Sequence, residues 1–247
     1  MRAQFSFDGD VIVITGGANG IGRALASAAA LAGAKVVILD VDQPAMDAAA
    51  AEHASISAIH VDVSDPAAIA AAIAGIEHRF GHIDGLVCGA AIQPRIVAHE
   101  MTPAQWRQVL GINLDGVVWC YQAVIPGMIA RRRGAIIAFS SGLAHQGWPQ
   151  ASAYAASKGA LIGFVKSAAK EVAQHRIRFN LISPGVIDTA QYRAANQGAD
   201  HERWRTSIGV GEAADVVGPL LFLLSDAATM TASVLSRDTA YPASDDE

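Results

Sequence analysis

Tyr154 and Lys158 stand four residues apart in an alanine-rich stretch that reads as helix. Positions i and i+4 share a helix face, so a phenol and an ammonium are brought side by side. That pair can move a proton: oxidising an alcohol needs a base, and reducing a ketone needs an acid. Free tyrosine titrates near 10, so about a thousandth is ionised at neutral pH, and lowering the pKa by three units takes roughly 4 kcal/mol. A cation about 4 Å away at an effective dielectric of 20 supplies energy of that order. Ser141 precedes Tyr154 by 13 residues. Its hydroxyl can donate to a substrate oxygen as that oxygen becomes alkoxide-like. Y-x-x-x-K arises often by chance, so the pair gains meaning only from what surrounds it.

A second cluster lies near the start. TGGANGIG (15–22) follows the β-branched run VIVIT (11–15) and opens an Ala/Leu-rich helical segment. Glycines between strand and helix let the backbone turn tightly and approach a pyrophosphate. The helix N-terminus offers free N–H groups and the positive end of its dipole to phosphate. Asp40 ends the next apolar run, KVVILD, 18 residues after Gly22. A carboxylate there accepts hydrogen bonds from a ribose diol and repels a 2′-phosphate. Val41 follows it, Lys35 lies at the far end of the run, and Arg23 is the one basic residue close by. The cofactor expected is therefore NAD, whose oxidised ring joins Lys158 as a cation able to favour a tyrosinate.

These clusters need a scaffold. Apolar runs at 11–15, 35–40, 59–63, 83–88, 134–140, 177–182 and 233–237 alternate with helical segments at 21–32, 43–52, 65–80, 102–132, 153–174 and 212–224. That alternation predicts βαβ units: an α/β, Rossmann-like doubly wound parallel sheet of about seven strands with helices on both faces. No linker divides the chain, so residues 1–247 read as one dinucleotide-binding domain. The segment 188–210 breaks the alternation and is expected to be a substrate lid.

Composition agrees. Of 247 residues, 52% are hydrophobic and 17% charged, as suits strands buried on both faces. A chain this long buries enough surface to need no disulfide or metal staple. The net charge is −5 and the only dense basic cluster, Arg131–Arg133, reads as a solvated helix end, so nucleic acid is not an expected partner. Cys88 and Cys120 have no partners at metal spacing, so no metal site is expected. Two unpaired thiols fit a reducing compartment. The N-terminal residues lack the apolar core of a signal peptide. Gln122, Pro126 and charges interrupt the longest apolar stretches before 18 residues, so no membrane span is expected and the location expected is cytoplasmic.

T-G-x-x-x-G-x-G, with Gly16, Gly20 and Gly22, followed by Ser141–x12–Tyr154–x3–Lys158, resembles the short-chain dehydrogenase/reductase family, and the likeness runs from residue 10 to about 235. The resemblance implies hydride transfer between a nicotinamide cofactor and a secondary alcohol or its ketone, with Asn113 of GINLDG as a fourth catalytic residue. It implies cofactor contacts from Gly16, Asn19, Gly20, Ile21, Gly22 and Asp40. Asp62 and Val63 resemble the adenine-binding segment, and Ala90 the wall beside the cofactor. ISPGVIDT (182–189) resembles the segment bordering nicotinamide, so Pro184, Gly185, Val186, Ile187 and Thr189 join Tyr154 and Lys158 as contacts. Two stretches depart from the pattern. Cys88-Gly89-Ala90-Ala91 stands where the family has N-N-A-G, which implies weaker cofactor binding. TASVLSRDTA (231–240) replaces a glycine-rich T-G…D-G-G stretch and leaves the family's homotetramer or homodimer assembly open.

Substrate candidates come from three loops: Gln93 and Arg95; Ser141, His145, Trp148 and Tyr154; and Tyr192, Arg193 and Trp204. The polar set, and AHEMTPAQW (98–106), which faintly resembles sugar-oxidising members of the family, point to a sugar, polyol or anionic hydroxy compound. The plain alternative for most of these side chains is solvated loop. Two other functions compete: an NADP-dependent 3-oxoacyl-thioester reductase, which Asp40 argues against, and a non-catalytic dinucleotide sensor, which the intact Ser, Tyr, Lys and Asn set argues against.

Overall fold

Apolar β-branched runs become the central strands because they bury side chains on both faces of one sheet, while the two edge strands are more exposed. In the computed structural model, which describes residues 4–198 and 209–237, the strands are β1 (Val11–Thr15), β2 (Lys35–Asp40), β3 (Ile56–His60), β4 (Gly85–Cys88), β5 (Gly134–Phe139), β6 (Ile177–Ser183) and β7 (Val234–Ser236). They form one parallel sheet in the order β3-β2-β1-β4-β5-β6-β7. Val11 and Val13 pack into the core on one face of the sheet, Ile12 and Ile14 into the core on the other. The first core takes α3 (Pro66–Phe80), α5 (Gly116–Arg131) and α7 (Ser152–Val172); the second takes α1 (Gly20–Leu31), α2 (Gln43–Ala50) and α9 (Ala214–Leu224). The chain reverses direction across the sheet between β1 and β4, and open α/β sheets bind ligands in the crevice outside the strand ends there.

Local signals set the helix starts. Asp65 caps α3 by accepting from Ala67 N at 2.9 Å and Ala68 N at 3.2 Å, with Pro66 in the first turn. Thr102 and Gln105 form a reciprocal capping box on α4 (Pro103–Leu110). These bonds satisfy amide donors the helix cannot pair internally.

The structure corrects several sequence expectations. The third strand is Ile56–His60, and Val61-Asp62-Val63 lies beyond its end. Asp62 Oδ1 accepts from Ser64 N and Ser64 Oγ, at 2.9 and 2.7 Å, which turns the chain there. β3 is an edge strand that is half exposed, so ISAIH carries no strong apolar signal while the buried valines after it do. The helical run from Pro103 to Arg131 is continuous for 29 residues, long and apolar enough by length and composition to cross a membrane. Gln122 and Pro126 do not interrupt it. Its buried side chains, among them Val117, Cys120, Val124 and Met128, belong to the core. Of the expected lid, α8 (Ala190–Ala195) and a turn up to Gly198 are described, whereas Trp204 and the rest of 199–208 lie outside the described residues.

Ala232, where the family pattern has glycine, sits at φ +59° and donates its N–H to Phe179 O at 2.9 Å. A left-handed L-residue costs roughly 1–2 kcal/mol, part of which glycine returns through its freer unfolded chain. Ala232→Gly is therefore expected to stabilise the fold by about 0.5–1 kcal/mol, read as a higher urea midpoint with unchanged slope.

Candidate active site

The sheet brings the candidate residues together because each follows the C-terminal end of a strand. The register aligns Thr15 of β1 with Leu39 and Cys88, Cys88 with Ala138, and Phe139 with Ile182. The loops after β1, β2, β4, β5 and β6 therefore open on one side, around a cavity of about 480 Å³. Gly16, Asn19, Gly20, Ile21, Gly22, Asp40, Asp62, Val63 and Ala90 line it, as do Tyr154, Lys158, Pro184, Gly185, Val186, Ile187 and Thr189.

At one end the backbone itself is the site. Gly16 has φ +66°, and a Cβ there would lie 2.7 Å from Ala90 N. A Cβ on Gly22 would collide with Gly16 O. These two close approaches keep the first turn of α1 against β1 and open to the cavity. Asn19 begins α1 in extended conformation and gives it no side-chain cap, so the first N–H groups remain available to an anion. Asp40 is held by its neighbours: Oδ2 accepts from Ala18 N at 3.0 Å, and Oδ1 from Val41 N at 2.8 Å and Asp42 N at 3.2 Å. Each carboxylate oxygen has two lone-pair directions, so one on Oδ2 is left to accept from a ribose hydroxyl. Leu39, Val41 and Val61 add apolar wall around Asp40 and Asp62.

The stretch replacing N-N-A-G has its own solution. Thr15 Oγ1 accepts from Gly89 N at 3.1 Å and Ala90 N at 3.3 Å. A Cβ at Gly89 would stand 2.8 Å from Thr15 O, so this loop lies too close to β1 for any side chain at that position. Cys88 and Cys120 are both free and buried, with hydrogen bonding between the thiols. That contact and burial push the Cys88 thiol well up, which makes it a packing group and a poor nucleophile.

At the other end Ser141, Tyr154 and Lys158 converge. Lys158 is 3% exposed, and its Nζ donates to Phe139 O at 2.8 Å while lying 5.7 Å from the Tyr154 ring centroid. Burial brings its pKa down to about 8, opposed by the Cys88 thiol. Burial pushes the Tyr154 hydroxyl up; a hydrogen bond with Ser141 and the charge of Arg95 both act to lower it. Ser141 Oγ also accepts from Leu143 N at 3.2 Å. Arg95 thus joins Lys158 as a cation beside the phenol, a role its sequence position does not reveal.

Asn113 is fully buried in a five-residue π turn, Gly111–Asp115, between α4 and α5. Its Oδ1 accepts from Ile92 N at 2.8 Å, and its Nδ2 donates to Ile92 O at 2.9 Å and Ser157 Oγ at 3.2 Å. Ser157 Oγ in turn donates to Tyr154 O at 2.7 Å. Asn113 therefore clamps the loop after β4 to the helix carrying Tyr154. An orphaned buried backbone group costs about 1–3 kcal/mol, so Asn113→Ala is expected to destabilise the protein by at least about 2 kcal/mol, measured by urea unfolding.

Several substrate candidates stand elsewhere. Arg193 is exposed and forms a two-pronged ion pair with Asp188, Nε–Oδ1 2.7 Å and Nη2–Oδ2 3.0 Å, because both project from one turn at the start of α8. His145 and Trp148 are exposed, and neither is among the residues lining the cavity; the short α6 (Leu143–Gln146) carries them away from it. Gln93, Ser141, Tyr154 and Tyr192 line it, and Arg95 does not. Thr189, expected to touch the cofactor, also caps α8 by accepting from Tyr192 N at 3.2 Å. Among the described residues no three His, Cys, Asp or Glu side chains gather to hold a metal.

Comparison with known proteins agrees with this architecture. Residues 10–200 match the family model described as short chain dehydrogenase. The chain is 33% identical over 242 residues to 2-(S)-hydroxypropyl-CoM dehydrogenase 3 of Xanthobacter autotrophicus, covering 93% of this chain and 95% of that protein. It is 35% identical to D-threitol dehydrogenase of Mycolicibacterium smegmatis, covering 92% and 90%. The crystal structure of a 3-ketoacyl-(acyl-carrier-protein) reductase from Brucella melitensis complexed with NADH superposes with a TM-score of 0.87 at 27% identity, covering 94% and 98%.

Proposed function

The chain belongs to the short-chain dehydrogenase family, and from that premise we propose that it interconverts a secondary alcohol and its ketone with NAD as the hydride carrier. One observation carries the reading: the Ser141 and Tyr154 hydroxyls and the buried Lys158 line the same cavity as Asp40 and the uncapped start of α1. The open helix N-terminus and the glycine approaches fit a pyrophosphate, and Asp40 fits the adenosine ribose. Bound nicotinamide would supply the hydride acceptor at the Tyr154 end.

The chain's own residues do the proton chemistry. Tyr154 takes the alcohol proton in oxidation and returns it in reduction. Ser141 has one hydroxyl proton, which it donates to the tyrosinate before substrate binds and to the substrate oxygen once substrate is in place. Lys158, held on Phe139 O, keeps positive charge near the ring. The substrates named for the hydroxypropyl and threitol relatives are secondary alcohols, which supports the same class here. The Asp40 carboxylate disfavours the NADP-linked thioester reductase. Two free thiols fit a cytoplasmic enzyme, and a homodimer or homotetramer is part of the proposal.

Cofactor choice is directly testable. Arg23 is turned away to Glu52, at 2.6 Å, so it does not offset Asp40. NAD(H) is expected to bind at least about tenfold more tightly than NADP(H), or 1.4 kcal/mol, with Asp40→Ala narrowing the gap. Fluorescence titration with NADH and NADPH measures both, and tighter NADPH binding by the unaltered protein would reverse the assignment. Turnover across polyols, sugars and hydroxy acids with NAD tests the reaction itself.

A further inference from the structure

Four arginines are partly buried among the described residues: Arg23, Arg95, Arg178 and Arg237. Arg23 pairs with Glu52 and Arg237 with Asp215. Arg178 places its donors on Leu223 O, Leu224 O and Ser225 O at the end of α9. Arg237 also has a buried Nη1 without a hydrogen-bond partner, but its guanidinium has the Asp215 carboxylate at 3.6 Å, whereas Arg95 has the orphaned nitrogen and no carboxylate among the described residues. The Arg95 Nε donates to Ala195 O at 2.8 Å and its Nη2 to Asn196 Oδ1 at 2.6 Å, while Nη1 is buried and has no hydrogen-bond partner.

A buried guanidinium nitrogen without an acceptor is costly unless something pairs with it. Arg95 is not itself among the described residues lining the cavity, but it stands directly behind residues that are. Asn196, which Arg95 holds, and Tyr154, on whose hydroxyl the Arg95 charge acts, both line the cavity. Gln93, two residues before Arg95, lines it too. The carboxylates of the described cavity wall are Asp40 and Asp62, at the strand ends that would hold adenosine, so among the described lining residues no carboxylate stands at the Tyr154 end.

On the dehydrogenase reading above, we propose that Arg95 selects the substrate: the secondary alcohol carries an oxyanion, a carboxylate or its sulfonate or phosphate analogue, close to the reacting carbon. The free Nη1 donates to that oxyanion and the guanidinium supplies its counter-charge. Arg95 fits this better than a point-charge lysine, because its fork keeps two donors on Ala195 and Asn196 while a third meets the ligand. The same charge favours the Tyr154 phenolate, so substrate recognition and the proton acceptor share one cation.

Matched substrates test this with the full chain and saturating NAD. Each pair sets an oxyanion against a neutral hydroxyl-bearing group: 3-hydroxybutyrate against butane-1,3-diol, lactate against propane-1,2-diol, and 2-hydroxypropane-1-sulfonate and 2-hydroxypropyl phosphate against propane-1,2-diol. At least one anion is expected to exceed its neutral partner in kcat/KM by tenfold or more, and the arms identify which oxyanion. Arg95→Gln should erase that preference, Arg95→Lys should return part of it, and Asn196→Ala, which removes one tether but no charge, should retain it. Calorimetry of butyrate binding to the NAD-loaded protein gives a readout without turnover; binding that Arg95→Gln abolishes supports the anion site. Equal kcat/KM within every pair, or a preference unchanged in Arg95→Gln, overturns it. No turnover of any alcohol, charged or neutral, counts against the dehydrogenase reading, and the calorimetric arm then decides the anion site alone: no Arg95-dependent binding overturns it.

Discussion

Replacing Tyr154 with phenylalanine is expected to lower kcat by about a thousandfold or more while NADH affinity stays within about twofold. The substitution removes one oxygen from a side chain whose ring remains packed beside Lys158. The helix, the Ser157 bond to the residue 154 carbonyl and the glycine end of the cavity are untouched. Positioned acid–base groups contribute on the order of 10²–10⁴ to rate, and here the hydroxyl is also the substrate's hydrogen-bond partner. Initial rates under saturating cofactor, with a parallel fluorescence titration, make the measurement. A variant keeping a tenth of the rate would remove Tyr154 from the mechanism. The electrostatics add a pH signature. Burial raises the Tyr154 pKa, and Ser141 and Arg95 pull it down. Oxidation needs the tyrosinate, so its rate should rise with pH. Ser141→Ala should move that rise to higher pH.

Lys158→Met should separate activity from stability. Burial holds the Lys158 pKa at about 8, below the 10.5 of an unburied lysine. Below pH 8 the ammonium is charged in both folded and unfolded chains, and the folded chain bears the cost of burying it. Between pH 8 and 10.5 the folded chain has lost this proton while the unfolded chain still holds it. The unfolded state then binds more protons, so stability rises with pH across that window, by up to about 3 kcal/mol. Methionine abolishes the rise. Urea midpoints at pH 7.5 and 10 should therefore diverge less in the variant than in the parent, while turnover falls by about a hundredfold or more. Parallel pH–stability curves for the two proteins would show that the ammonium is not buried in the way described. The cation that serves the phenol is maintained at the expense of the fold.

The strands were legible because a parallel sheet buries both faces, so VIVIT, KVVILD and GAIIAF appear as unbroken apolar runs. β3 was misplaced for the converse reason: an edge strand needs little burial, and the valines flanking Asp62 are buried without being strand. The cofactor end was readable because its residues follow strands directly, and a strand end is a place as well as a sequence position. The substrate end was not. Whether His145, Trp148 or Arg193 faces the cavity depends on how loops turn after leaving a strand. The role of Arg95 depends on bonds to residues 100 and 101 positions away. The π turn around Asn113 left no pattern either, since it differs from an ordinary helix by a shift of backbone pairing.

The pairing of β1 with β4 also bears on when the enzyme becomes an enzyme. Val11 N and the Asp84 carboxylate meet across 73 residues, and the cleft exists only once that span has closed. Contacts so distant in sequence form slowly, because the chain entropy of closure precedes any gain. The segments up to residue 63 hold the glycine turn, Asp40 and Asp62, but none of Ser141, Tyr154 or Lys158. A nascent chain emerging from the ribosome would thus display half a nucleotide cradle long before it has any reactive hydroxyl, and regained turnover would be a late clock of refolding, lagging behind recovered helix content.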